Sequence, residues 1–159
     1  MKLTAALSKL KSLKSQLGRV DGYIAKSVVF YEGDEPEYSY LEETENRRKL
    51  VNDIRLFKQR IMNTNGLTKV LFGETTVSLN ELILLNAELR SELANWTKLL
   101  GLTTDTESHF TGRTKDSVKK TYAEGFNKPE IKARINQLEA SKEKVDGVIQ
   151  QANAETELM

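Results

Sequence analysis

The chain has 159 residues, with 24 Lys+Arg against 23 Asp+Glu, a net charge of +1, 38% hydrophobic residues and no Cys. That length fits one domain, taken here as a single helical domain over residues 1–159. The missing Cys excludes a disulfide scaffold, a thiolate zinc site and a Cys nucleophile. The near-neutral total argues against a strongly basic nucleic-acid binder.

The first periodic segment spans about residues 2–27. Leu3, Ala6, Leu10, Leu13, Leu17, Val20 and Ile24 recur at steps of three and four, the stripe that keeps one helix face on a partner helix. Gly18 and Gly22 weaken its far half, which is expected to bend or fray. Lys9, Lys11 and Lys14 interrupt any secretory apolar stretch. Apolar runs such as Leu82-Ile83-Leu84-Leu85 fall far short of the roughly 20 residues of a membrane span. A soluble cytoplasmic protein is expected.

A second helix is predicted over about 38–64. Its first half is nearly all polar, and its second carries Leu50, Ile54, Phe57 and Ile61, so it should pack at one end and project at the other. Two β-prone runs over about 68–77 flank Gly73-Glu74 and predict a hairpin with a two-residue type II′ turn. The third helix, about 79–100, opens with the capping-box pattern Ser78-Leu79-Asn80-Glu81. Leu79, Leu82, Asn86, Leu89, Leu93, Trp96 and Leu100 form its stripe, and Gly101 is its expected C-cap. Asn86 stands at an a-type position, where a buried Asn sets register or partner number and a rim Asn meets water. Residues 102–126 have no sustained period, with a short strand expected around Ser117–Tyr122. The fourth helix, about 129–157, starts at Pro129, and Lys142 interrupts an a/d position of its apolar stripe. The fold class is therefore mainly all-α: four long helices in a bundle or antiparallel coiled-coil arrangement, with a small β-hairpin insertion.

Charge is blocked along the chain. Residues 1–26 carry +5, residues 27–46 carry −7, residues 47–60 carry +5 and the remainder −2. The acidic block holds Glu32, Asp34 and Glu35 beside Phe30, Tyr31, Tyr38 and Tyr40, and tyrosine suits interfaces because it joins a flat apolar body to a polar tip. This connector is expected to dock on a basic helix face of a neighbouring copy. Catalytic chemistry is poorly supplied. The single His, His109, cannot build a His metal centre, no nucleophile elbow surrounds any Ser, and Gly112-Arg113-Thr114-Lys115 lacks the spacing of a phosphate loop. No catalytic residue, cofactor or metal is assigned.

The start Met1-Lys2-Leu3, the loop Glu32-Gly33-Asp34-Glu35-Pro36, and Ile61-Met62-Asn63-Thr64-Asn65 come in a recognisable order. Ser78-Leu79-Asn80-Glu81 and the end Ile149-Gln150-Gln151-Ala152-Asn153 follow. Together they resemble a small bacterial family, some of whose members are labelled septicolysin. The resemblance implies long-helix proteins that assemble as homo-oligomers, and the label implies membrane damage. The chain departs from that pattern at Ala154, where a Trp is expected, and through residues 102–126.

The first functional expectation is a non-enzymatic homo-oligomer, with Leu3, Leu10, Leu17, Ile24, Tyr31, Glu32, Asp34, Glu35, Asn86 and Trp96 as interaction residues. The second is a membrane-active protein whose Lys-flanked first helix lies in an anionic interface. Nucleic-acid binding through the basic helices ranks third, because the acidic connector between them opposes a phosphate backbone.

Overall fold

A computed structural model describes residues 1–102, Gly125 and residues 127–159. The strand expected around Ser117–Tyr122, His109 and the Gly112–Lys115 stretch lie outside the described residues. The chain is mainly α-helical: α1 (Leu3–Val28), α2 (Tyr40–Leu67), α3 (Leu79–Leu102) and α4 (Lys128–Glu155), with a hairpin of β1 (Lys69–Phe72) and β2 (Thr75–Ser78). The described residues form two compact units. One holds Met1–Asn80 and Gln150–Met159; the other holds Glu81–Ile149.

In the first unit α1 and α2 pair as an antiparallel hairpin, with Lys9 over the Phe57 ring, Asp21 against Arg47 and Lys26 against Glu37. The like charges of the two helices are thus partly answered within the hairpin, by the lone acid of the first block and by one acid of the connector. The glycines do not end α1, which runs unbroken to Val28. A Cβ at either Gly18 or Gly22 would meet open space, and neither has a positive φ. Replacing both with Ala should raise stability by about 1–2 kcal/mol, because Ala costs the helix less backbone entropy. A higher urea midpoint checks this, and an unmoved midpoint contradicts it.

The core of this unit gathers at one end of the hairpin. Leu3 and Ala6 of α1 are buried there, with Ile54, Phe57 and Ile61 of α2, Leu79, Ala152 and Leu158. The chain ends close this end by a short antiparallel bridge between Lys2 and Glu157, where Leu3 N–H donates to Thr156 O (2.9 Å) and Leu158 N–H to Met1 O (2.7 Å). Thr64 is fully buried, and its hydroxyl donates to Arg60 O (2.9 Å) while accepting from Met159 N–H (3.1 Å). As its patterning predicts, α2 buries only its second half, and Ser39 caps its start by accepting from Glu42 N–H (3.4 Å).

The β-hairpin pairs Phe72 with Thr75, leaving the two-residue loop Gly73-Glu74. Gly73 has φ +64° and Glu74 has no positive φ, the signature of the expected type II′ turn. Leu79 N–H then donates to Thr68 O (2.9 Å), fixing the start of α3 against the start of the hairpin.

In the second unit Leu82, Asn86, Ile131, Leu138 and Val145 are buried. The pairs Asn86–Asp146 and Glu92–Arg134 set α3 and α4 antiparallel. Gly101 does not cap α3: it lacks the left-handed φ a glycine C-cap needs, and the helix continues through it to Leu102.

Candidate functional site

Three surfaces bring the sequence-predicted residues into view. The first is the connector between α1 and α2. Its two ends are held together by the stacked Tyr23 and Tyr38 rings, 4.3 Å between centroids, and by Lys26 Nζ against Glu37 Oε2 at 3.3 Å. The Glu37 carboxylate hydrogen-bonds the Tyr38 hydroxyl and holds it above its usual pKa. Between these pins the chain turns over Tyr31-Glu32-Gly33-Asp34, with Asp34 N–H donating to Tyr31 O (3.0 Å) and Gly33 at φ +98°. That is the φ a type II turn requires at its third position, so Gly33 is a conformational necessity. Val29 is 80% and Tyr31 85% exposed, and Phe30 and Leu41 are exposed too. Glu32, Asp34 and Glu35 are exposed, and none has an ion-pair partner among the described residues. Apolar surface this open, beside unpaired acids, is unusual for a short loop in water.

The second surface is the flank of the α1–α2 hairpin. Leu10, Leu17 and Ile24 are only half-buried, whereas Leu3 is fully buried in the core of its own unit. Leu17 and Ile54 floor a groove of about 750 Å³ whose α2 wall is Val51, Arg55, Lys58 and Met62. Those four share one helix face, with apolar ends and a basic centre. Arg55 donates to the neutral Asn52 Oδ1 (2.9 Å), and among the described residues neither Arg55 nor Lys58 has an ion-pair partner.

The third is the polar seam of the second unit. Asn86 is only 7% exposed, so of its two readings the structure realises the buried one. Its Nδ2 donates to Asp146 Oδ1, while its Oδ1 is buried without a partner among the described residues. Asp146 also accepts from Lys142 Nζ (2.7 Å) and Arg90 Nη2 (3.2 Å). The Lys142 hydrogen bond, helped by Asn86 and by the Arg90 charge, holds the Asp146 carboxyl below its ordinary range against the opposing effect of desolvation. Sequence reasoning missed Asp146, although Lys142 and Asn86 were both visible as polar breaks in apolar stripes. Further along α3, Glu92 accepts from Arg134 Nη2 (2.6 Å) and Trp96 Nε1 (3.3 Å), and the Arg134 bond lowers the Glu92 pKa. Trp96 is half-buried and shares a cleft with Ile131 and Arg134.

Among the described residues, no group of three or more His, Cys, Asp or Glu side chains could hold a metal ion, and no helix is long and apolar enough to cross a membrane. These elements define an all-α protein with a small antiparallel hairpin, whose polar side chains are spent on helix seams and on an acidic loop. The chain belongs to a family of unknown function, DUF6847, matched over residues 10–158. A solved structure described as a functionally unknown conserved protein from Corynebacterium diphtheriae is similar, at 21% identity and a TM-score of 0.84 over 100% of this chain and 99% of that one. At that identity the likeness speaks for the fold alone. No curated protein matches the chain.

Proposed function

We propose that the chain is a non-enzymatic, self-assembling helical protein of the cytoplasm, working through contacts between copies. One observation carries this reading. α1 is 26 residues long, yet only Leu3, Ala6 and Ser27 are buried, so most of its heptad stripe is left half-covered by a single partner helix. A helix with such a stripe is stabilised when a further helix or loop closes over it. Light scattering during size exclusion at micromolar concentration should give a multiple of the chain mass. A monomer across that range counts decisively against assembly.

A second reading, membrane activity of the kind the septicolysin label implies, is favoured by the exposed Val29, Phe30 and Tyr31. Leakage from anionic liposomes would bring it forward, since the Lys-flanked α1 suits an anionic interface, and no binding to such vesicles removes it.

A further inference from the structure

We propose that the acidic, aromatic connector of one copy docks in the basic groove of a second copy, with the two copies engaging each other reciprocally. This rests on the self-assembly reading and names the surfaces that would carry it. The match is one of pattern as well as sign. The loop offers apolar Val29, Phe30 and Tyr31 beside unpaired Glu32, Asp34 and Glu35. The groove offers apolar Val51 and Met62 around Arg55 and Lys58, two cations with no carboxylate partner among the described residues.

The loop cannot serve the groove of its own copy. The Tyr23–Tyr38 stack and the Lys26–Glu37 pair hold the connector at the far end of the hairpin. At about 1.5 Å per residue, Val51 to Met62 lie roughly 17–33 Å along α2 from its first residue, Tyr40. Two hairpins laid antiparallel and offset by that distance put each loop on the other's groove. The arrangement is a closed two-fold contact rather than an open chain of copies. Because the Gly33 turn and the two pins already order the loop, docking freezes little that was free, which favours binding. The bulk of the contact is electrostatic and rim-like, so it sets specificity and orientation more than raw affinity.

The test uses two full-length variants. One carries Glu32→Lys, Asp34→Lys and Glu35→Lys; the other carries Arg55→Glu and Lys58→Glu. All five positions are exposed, and circular dichroism verifies that helicity is kept. Sedimentation should show each variant alone assembling roughly tenfold or more weakly than the parent, since like charges now meet. An equimolar mixture should regain the parent's mass, because both contacts of the mixed pair are again complementary. A mixture that stays as dispersed as its components overturns the proposal.

Should either variant lose helicity, a second measurement decides. The chain has no Cys, so in the Tyr31→Cys, Met62→Cys variant every disulfide must involve these two positions alone, and peptide mapping tells a 31–62 link from 31–31 or 62–62. A covalent dimer linked 31 to 62 between copies under mild oxidation supports loop-in-groove docking, and dimers linked only 31 to 31 or 62 to 62, or no dimer, overturn it. A parent that remains oligomeric while these tests fail keeps self-assembly and removes this docking mode; a monomeric parent removes both.

Discussion

Truncation of Leu79 to Ala is expected to lower the unfolding free energy by about 3–5 kcal/mol, the cost of removing a buried leucine from a site that cannot collapse around the cavity. Leu79 is fully buried and sits where β2 passes directly into α3. Its backbone is fixed by the bond to Thr68 O, so the surrounding backbone has little freedom to move inward. Domains of this size are stable by only about 5–15 kcal/mol, so the loss is a large share of the whole. Leu84 on the same helix is 57% exposed and makes the control. Leu84→Ala should change stability by no more than about 0.5 kcal/mol. Urea denaturation of the two variants side by side checks the contrast, and equal losses would show that burial at residue 79 is not what holds the junction.

The second large effect belongs to Asp146. Asp146→Ala is expected to cost about 1–3 kcal/mol, because the half-buried Lys142 ammonium and the buried Asn86 amide both lose their acceptor. Asn86→Leu should cost under about 1 kcal/mol, since it also removes a buried carbonyl that has no partner among the described residues. The asymmetry is the measurement: if Asn86→Leu is the more damaging of the two, Asp146 is not the centre of the network. The pH dependence has a definite sign. Asp146 is held below its ordinary value of 3.8, so its contribution is fully present above that value. It is lost as pH falls through the depressed folded-state value. Glu92 and Glu45, each lowered by an arginine hydrogen bond from an ordinary 4.5, act in the same direction. The Asp146→Ala penalty should therefore hold steady between pH 6 and 8 and shrink in acid below roughly pH 4.

The helices and the hairpin were legible because each rests on a local signal. Steps of three and four mark α1, and a glycine first in a two-residue loop marks the turn at Gly73. One local signal went unread: Ser39-Tyr40-Leu41-Glu42 has the same Ser-x-x-Glu form as residues 78–81 and marks the start of α2 just as plainly. What the sequence withholds is register between elements. Lys142 and Asn86 were visible as polar breaks on different helices. That Asp146 joins them depends on how α3 and α4 align, which no spacing within one helix encodes. For the same reason the stripe of α1 shows that a partner is needed without showing how many partners cover it. Residues 102–126 offer no period at all, and the expectations placed there had the least to rest on.

The bridge between Lys2 and Glu157 makes closure of the first unit a non-local event in folding. The unit that holds the α1–α2 hairpin is discontinuous: it needs Gln150–Met159 to complete the end where its core lies. The unit of Glu81–Ile149 is drawn from one unbroken stretch of sequence. Closing the core end of the first unit carries the entropy cost of a loop that spans the whole second unit. Folding of the first unit is therefore expected to be the slower step, because its closing contact joins segments far apart in sequence.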